Sequence, residues 1–330
     1  MNAIDLHAET WASLQSQRER LPHALLLVGQ RGLGKFALAQ AFAKSLLCEQ
    51  PLNAGLFCGE CLACNWFEQE NHPDFRLLQP QAMVEEAEAD EGRKKASQQI
   101  TIDQVRALDD FFNVGTHRAG LKIIVVNPAD AMNRNTANAL LKALEEPAPG
   151  TLFLMVSNEP LRLLPTIRSR CQLIPVGIPP TAVAEAALAA EGITQPARWL
   201  ALAGGSPGLA IELAAAEEGG WLDILTRRLT AKGELDPIAL AADLERVIRE
   251  SKGKLALKSV VEAMQKWLVD LTLASNGLPI RYFLLQQATI SGLADMIPPA
   301  RLVRAHRLLL TFRREAEQPL NARLFLEGLF

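Results

Sequence analysis

A glycine-rich stretch near the start of the chain has the residue types that bind a phosphate group. Residues 29–35 read GQRGLGK, a spacing in which backbone N–H groups surround the anion and Lys35 adds positive charge. Loops of this kind continue with Ser or Thr, which binds Mg²⁺, but this chain has Phe36. The stretch, called the phosphate loop below, therefore keeps the anion-binding groups without the metal ligand. A glycine-rich turn that binds nothing is the alternative.

The elements around the phosphate loop fit a phosphate-binding role. Residues 24–28 form a short apolar run, which is typical of a buried strand, and residues 36–47 have apolar residues at helical spacing. Phosphate-binding loops require a strand before them and a helix after them. The context therefore favours a nucleotide-binding fold over a simple turn.

A later strand lacks the acidic residues that ATP hydrolysis requires. The β-branched residues at 122–126 predict a buried strand, and Asn127-Pro128 follows it. In ATPases such a strand ends in acidic residues that hold Mg²⁺ and polarise the attacking water. Asp130 comes after the strand has ended, and we expect it to be a turn or helix-cap residue. An active ATPase that recruits its metal through Asp130 is a competing hypothesis.

Four of the five cysteines lie close together in the sequence: Cys48, Cys58, Cys61 and Cys64. Four thiolates close a tetrahedral structural zinc site and leave no open position for catalysis. The spacing also resembles the iron–sulfur run of ferredoxins, but the residue at the completing position is Glu68. Free thiols are the third interpretation, and structural zinc is the one we favour. We expect Cys171 to be a buried apolar residue rather than a ligand.

The composition excludes several classes of protein. The chain has 330 residues, of which 49% are hydrophobic and 22% charged, so it is inconsistent with disorder. A zinc-dependent nucleic-acid-binding protein is an alternative, but the net charge of -3 and the lack of a basic stripe with interleaved aromatic residues argue against it. No apolar segment reaches the length of a membrane span, and the N-terminus lacks signal-peptide features. We therefore expect a cytoplasmic protein.

Strands alternate with helices in the first half of the chain. Residues 138–146 predict a helix and residues 152–156 a strand, and the alternation up to residue 176 predicts a mostly parallel sheet covered on both faces. The charged residues 79–99 predict a solvated insertion. After the sheet region ends at residue 176, only helices are predicted. The sequence therefore predicts three domains: residues 1–176, residues 177–218 and residues 219–330.

Several stretches together resemble the bacterial clamp-loader subunits of the AAA+ family. They are HALLLVG at 23–29, the four cysteines at 48–64, NALLKALEEP at 138–147, SRC at 169–171 and GGSPG at 204–208. The resemblance has specific motifs from Leu21 to about Ala216 and is weaker beyond. It implies an α/β P-loop domain of the AAA+ (RecA-like) type with an inserted zinc module, followed by a helical lid and an all-α collar domain.

The resemblance also implies a role and partners. Clamp loaders use ATP to open the ring-shaped sliding clamp and to place it on primed DNA during replication. The implied partners are motor subunits of the tau/gamma type and a delta subunit in a hetero-pentamer, and through them the clamp and DNA. Zinc would be the structural cofactor of this chain.

Motor subunits of the family keep groups that this chain lacks. They have Ser or Thr after the loop lysine, an Asp-Glu pair after the strand and an arginine in the lid. This chain has Phe36, Asn127-Pro128 and Gly208 at those positions. The resemblance therefore implies a subunit that does not hydrolyse ATP and binds nucleotide weakly or not at all. Any binding would depend on the remaining loop residues: Gly29, Gly34 and Lys35.

The SRC motif, in contrast, is intact. In the resembling family its arginine reaches the γ-phosphate held by a neighbouring subunit and acts as an arginine finger, because phosphoryl transfer spreads negative charge over the phosphate oxygens. The resemblance implies this role for Arg170, with Ser169 beside it. The alternative is that Arg170 pairs with a surface carboxylate, a contact worth about 0 to 1 kcal/mol. Arg168 has no implied role.

Overall fold

The computed structural model describes residues 1–85, 97–116, 120–217, 220–231, 236–251, 255–316, 318 and 320–330. Residues 86–96 of the predicted charged insertion lie outside these residues. The chain divides into two units, residues 2–183 and residues 184–330. Each unit has its own hydrophobic core and is described by itself.

A five-stranded sheet forms the centre of the first unit. Its strands are β1 (Ala24–Val28), β2 (Phe75–Leu78), β3 (Lys122–Val126), β4 (Thr151–Ser157) and β5 (Gln172–Pro175). Their order is β2-β3-β4-β1-β5, and every neighbouring pair is parallel. This confirms the predicted parallel α/β sheet. The carboxyl ends of all five strands meet at one edge, which is where open α/β sheets bind ligands.

Both faces of the sheet are buried. Leu25 and Leu27 of β1 lie in the core on one face with Phe42, whereas Leu26 lies in the core on the other face with Met155. Successive side chains of a strand point to opposite faces, so one apolar run supplies both cores. All residues of β3 and β4 are buried. Continuous apolar strands of this kind are typical of a parallel sheet covered by helices on both sides.

Helices cover the two faces of the sheet. They are α1 (Ala3–Leu6), α2 (Ala8–Ser16), α3 (Lys35–Leu47), α4 (Leu62–Glu68), α5 (Gln81–Glu85), α6 (Ile102–Arg106), α7 (Leu108–Asn113), α8 (Arg134–Glu145) and α9 (Pro165–Arg168). Helices α1, α2 and α3 pack together on one face, and α6 to α9 contribute to the core on the other. Helix α8 begins earlier than the predicted helix at 138–146, because Asn133 caps it by accepting the N–H of Thr136.

The second unit is helical in the residues described. Helix α10 (Thr181–Ala190) leads into it, and the later helices are α11 (Pro196–Leu202), α12 (Pro207–Ala216), α13 (Trp221–Leu229), α14 (Pro237–Glu250), α15 (Leu257–Ser275), α16 (Gln287–Met296), α17 (Pro299–Glu315) and α18 (Ala322–Leu329). One hydrophobic core joins residues from α10 to α18, with Trp199, Trp221 and Trp267 among them. Within the described residues no single helix is long and apolar enough to cross a membrane, although α11 and α12 meet that criterion when taken together across their 105° bend.

A buried carboxylate fixes one loop of the second unit. Asp270 of α15 is fully buried and accepts backbone N–H groups from Arg281, Tyr282 and Phe283 at 2.7 to 3.2 Å. Buried carboxylate oxygens require hydrogen-bond donors, and three backbone N–H groups supply them here. The contact therefore connects the loop before α16 to the middle of a core helix.

Candidate functional site

The phosphate loop lies between β1 and α3, as predicted, and its glycines are required by its shape. Gly34 is the residue before α3 and has a φ of 81°, a conformation that other residues rarely adopt. A Cβ atom on Gly29 would lie 2.4 Å from the carbonyl oxygen of Val176. The backbone of the loop is therefore compact, and it lies at the carboxyl edge of the sheet.

The lysine of the loop is fully engaged by its own chain. Lys35 is 3% exposed, and its ammonium group donates to the carbonyl oxygens of Gly29 at 2.9 Å and Gln30 at 2.5 Å. It also donates to Oδ1 of Asn158 at 2.8 Å. An ammonium group has three donors, so each has a partner inside the protein. Burial lowers the pKa of Lys35 to about 8, and the charge of Asp130 opposes this shift. A phosphate could contact Lys35 only if one of these bonds broke.

Asn158 joins the ends of two strands to the phosphate loop. It directly follows β4, its side chain accepts from Lys35, and its backbone N–H donates to Oδ1 of Asp130 at 2.9 Å. Asp130 lies in a short 3₁₀ helix, Ala129–Ala131, beyond the end of β3. This agrees with its interpretation as a turn or cap residue. The sequence alone gives no role to Asn158, although a polar residue directly after a strand is a signal for the carboxyl edge of the sheet.

The N-terminal segment covers the other side of the loop. His7 is buried, and its Nε2 lies 2.5 Å from the carbonyl oxygen of Leu33, to which it donates. Burial lowers the pKa of His7, which favours the neutral imidazole. The Cβ atom of Ala3 in α1 lies 3.9 Å from the position that a Cβ atom of Gly34 would take. Nothing in the spacing of the sequence indicated this contact between the first helix and the loop.

The positions that would hold Mg²⁺ carry other groups. Phe36 is partly buried and packs against the core that α3 shares with the sheet. Strand β3 is followed by Asn127 and Pro128. Neither place offers the hydroxyl or carboxylate oxygen that Mg²⁺ takes in nucleotide sites.

The four clustered cysteines converge on one point. Their sulfur atoms all lie within 4.8 Å of one another, with Cys48 3.6 Å from Cys58 and 4.0 Å from Cys61, and Cys58 3.9 Å from Cys64. Four sulfurs at 2.3 Å from a tetrahedral zinc ion would be about 3.8 Å apart, whereas a disulfide would bring two to about 2.05 Å. The cluster could therefore hold a zinc ion.

Backbone groups orient these thiols. Cys48 follows the last residue of α3, and Cys61 is the residue before α4, where its sulfur accepts the N–H of Cys64. The N–H groups of Glu60 and Cys61 lower the pKa of Cys58 to about 6, which favours the thiolate that binds metal. Burial raises the pKa of Cys48 and Cys64. Bound metal would offset that penalty, since zinc binds thiolates.

Glu68, the residue at the ferredoxin position, is engaged elsewhere. It lies at the end of α4 and forms an ion pair with Lys44 of α3. Lys44 also lies 4.2 Å from the centre of the Phe57 ring. Lys44 of α3 therefore contacts both Phe57, which lies between Cys48 and Cys58, and Glu68 at the end of α4. In the part of the chain that the structure describes, the group of possible metal ligands consists of the four cysteines alone.

The SRC motif follows α9 and has a fixed backbone. Ile167 of α9 is fully buried, and Cys171 is 7% exposed with its sulfur 3.7 Å from that of Met155. Burial raises the pKa of Cys171 to about 11, so its thiol is neutral at pH 7. The prediction that Cys171 is a buried apolar residue is confirmed. Arg168 is half-buried, and its Nε is enclosed by the protein.

The side chain of Arg170 makes contacts within its own chain. It is 34% exposed, and its Nη2 lies 2.7 Å from Oε1 of Glu145 at the end of α8. Its Nη1 donates to the carbonyl oxygen of Thr166 at 2.9 Å, and the hydroxyl of Ser169 donates to the same oxygen. Arg170 therefore has a carboxylate partner and remains partly accessible. Among the hydrogen bonds and ion pairs of the described residues, none joins Arg170 to the phosphate loop.

Known proteins are similar to this chain over most of its length. The family described as DNA polymerase III, delta subunit, matches residues 7–178, a range that includes the phosphate loop, the cysteine cluster and the SRC motif. DNA polymerase III subunit delta′ of Pseudomonas aeruginosa is 36% identical over 298 residues, which cover 87% of this chain and 80% of that protein. The chain belongs to the DNA polymerase III delta′ family. The resemblance to clamp-loader subunits is thereby confirmed.

Two other similar proteins either match a shorter part of this chain or have a lower sequence identity to it. Subunit delta′ of Escherichia coli is 36% identical over 205 residues, which cover 61% of this chain and 57% of that protein. A DNA polymerase III gamma subunit-related protein from Thermotoga maritima aligns over 94% of this chain and 100% of its own, at 17% identity and a TM-score of 0.39. The family assignment follows from the delta′ sequences and not from this distant structural likeness.

Proposed function

We propose that this chain is a clamp-loader subunit of DNA polymerase III that does not hydrolyse ATP itself. It supplies Arg170 to ATP held by a neighbouring motor subunit while the sliding clamp is loaded onto primed DNA. One observation carries the proposal: the loop lysine is bound by its own chain, whereas the arginine of the SRC motif is partly exposed. Membership of the delta′ family supports the clamp-loader assignment.

The state of the phosphate loop supports the absence of hydrolysis. Hydrolysis requires a lysine on the phosphates, a metal held by protein oxygens and an oriented water. In this chain Lys35 is bonded to two carbonyl oxygens and to Asn158, and Phe36 replaces the metal ligand. Asp130, the acid nearest to the end of β3, accepts a backbone N–H. Gly29, Gly34 and Lys35 therefore bind nucleotide weakly or not at all.

The position of Arg170 supports a role on a neighbour's ATP. A guanidinium group has five N–H donors in a plane, and the contacts to Glu145, Thr166 and Ser169 use at most three of them. The remaining donors are available to the oxygens of a transferring phosphoryl group, whose negative charge an arginine stabilises. Ser169 helps to fix the turn from which Arg170 extends, since its hydroxyl bonds to Thr166.

Zinc held by the four cysteines completes the fold of the first unit. With four thiolate ligands the ion would have no open position, so it would supply structure and no chemical step. The ligands Cys48 and Cys61 lie directly beside α3 and α4, so the ion would join these helices. Residues 177–218 are proposed as the lid and residues 219–330 as the collar. The partners are tau/gamma-type motor subunits and a delta subunit, in the cytoplasm.

An assembly made from this chain and its candidate partners tests the proposal. Arg170→Ala is expected to lower ATP turnover of the assembled complex, with clamp and primed DNA present, by about tenfold or more. Arg162→Ala is the matched control, because Arg162 is an exposed arginine in the same segment and pairs only with Glu159 among the described residues. The assembled complex is isolated by gel filtration before each assay. Unchanged turnover with Arg170→Ala would reject the role of the arginine.

A further inference from the structure

Glu145 and Arg170 form an ion pair although they are 25 residues apart in the sequence. Glu145 is the last residue of α8, and Arg170 follows the short helix α9. The distance of 2.7 Å between Oε1 and Nη2 is that of a charge-assisted hydrogen bond. The other terminal nitrogen of the guanidinium, Nη1, is bonded to the carbonyl oxygen of Thr166. The guanidinium is therefore fixed at both of its terminal nitrogens.

The elements that carry these contacts are anchored in the core. Leu140 and Leu144 of α8 are at most 1% exposed, and Ile167 of α9 is fully buried. Cys171, which follows Arg170 directly, is buried against Met155 of β4. Both the carboxylate and the backbone of Arg170 therefore start from rigid positions. An exposed arginine without such contacts samples many rotamers, and most of them do not point to a common place.

We propose that Glu145 is the positioning residue of Arg170: it orients the guanidinium toward the ATP of the neighbouring subunit before the subunits meet. The inference rests on the proposed function. Holding a reactive group in its working geometry removes the entropy that would otherwise be lost in the transition state. Glu145 acts through Arg170 and does not touch the phosphate. Its removal therefore lowers turnover without changing how the motor subunit binds ATP.

The adjacent residue provides a matched control. Glu146 follows Glu145 directly, is also exposed, and forms no ion pair among the described residues. Glu145→Gln and Glu146→Gln remove the same charge from the same end of α8. A general effect of charge on assembly would appear in both variants, whereas an effect through Arg170 would appear only in the first.

Steady-state ATP hydrolysis by the assembled complex, with clamp and primed DNA, tests the proposal. We expect Glu145→Gln to lower kcat by about three- to tenfold and to leave the KM for ATP unchanged within about twofold. Glu146→Gln is expected to leave both within about twofold of the unmodified complex. The positioning role would be overturned if the kcat of Glu145→Gln equalled that of Glu146→Gln. It would also be overturned if the kcat of Glu145→Gln exceeded that of the unmodified complex.

A double variant separates this proposal from the proposed function. In the Arg170→Ala background, Glu145→Gln is expected to cause no further loss, because the residue it positions is gone. If Glu145→Gln lowers kcat as much in the Arg170→Ala background as it does when Arg170 is present, Glu145 acts independently and the inference is overturned. If Arg170→Ala alone has no effect, the proposed function fails. If Arg170→Ala has its full effect and Glu145→Gln has none, only the positioning role fails.

Discussion

The ammonium group of Lys35 lies 2.8 Å from Oδ1 of Asn158, so the charged group of the phosphate loop is bound by the residue that directly follows β4. The two residues are 123 positions apart in the sequence. Because β1 and β4 are parallel neighbours, the residues that follow them lie side by side at the carboxyl edge of the sheet. The loop therefore finds within the fold the partner that a phosphate would otherwise provide.

Removing the amide of Asn158 is expected to destabilise the chain. Asn158→Ala would leave one donor of a buried ammonium group without a partner, which costs about 1 to 3 kcal/mol. The free energy of unfolding from urea titration measures the change. Asn138→Ala is the control, because Asn138 is exposed on α8. Equal stability of the two variants would contradict the role of Asn158.

The stability of the protein should depend on pH through Lys35. Its pKa of about 8 in the folded chain is below the ordinary lysine value of about 10.4. Between these values the unfolded chain binds more protons than the folded one, so folding stability rises with pH. We expect the unmodified protein to gain stability relative to Lys35→Met when the pH is raised from 7.5 to about 9.5. A constant difference between the two proteins would show that the pKa is not lowered.

The isolated chain should not hydrolyse ATP in the presence of Mg²⁺. Phosphate release from the purified protein is expected to equal that of Lys35→Ala, because the loop lacks a metal ligand and its lysine is bonded internally. Turnover that Lys35→Ala abolishes and Arg170→Ala leaves intact would instead support an ATPase that uses Asp130. Assays of both variants side by side decide between these outcomes.

Metal analysis should find about one zinc ion in each purified chain. Cys61→Ser is expected to lower the zinc content and the midpoint of thermal unfolding, because structural zinc contributes directly to folding. Cys171→Ala should keep the full zinc content, since Cys171 lies outside the cluster and contacts Met155. Iron in place of zinc would show that the assignment of the metal is wrong.

Asp270 should matter to stability far more than an exposed aspartate does. Its carboxylate accepts three backbone N–H groups, and in Asp270→Asn one oxygen is replaced by an amide group that cannot accept them. We expect a loss of about 2 to 3 kcal/mol in the free energy of unfolding. Asp295→Asn, at an exposed position of α16, should change it by less than about 0.5 kcal/mol.

Local sequence patterns were sufficient to predict much of the first unit. β1 and β3 occupy the predicted residues 24–28 and 122–126, because continuous apolar runs between turn residues are a local signal. Strand β2 has no clear local signal: it has only four residues, FRLL, and becomes a strand through its pairing with β3. The phosphate loop and the cysteine cluster were also recognisable, since each is defined by close spacing in the sequence.

The contacts that determine what these sites do are not local. Lys35 bonds to Asn158, and Glu145 pairs with Arg170, only after the sheet and its helices have formed. The same is true of the hydrogen bond from His7 to Leu33. The sequence could therefore indicate that the phosphate loop lacks its metal ligand, but not that its lysine is already bound. It could also name Arg170 without naming the carboxylate beside it.

Helix α3 links the phosphate loop to the cysteine cluster, because it runs without interruption from Lys35 to the residue before Cys48. Its 13 residues span about 20 Å at 1.5 Å per residue. Oxidation of the thiols would change the contacts of Cys48, which directly follows this helix, while Leu46 and Leu47 would still hold the last turn in the core. The cysteine cluster and the phosphate loop are therefore attached to opposite ends of one continuous helix.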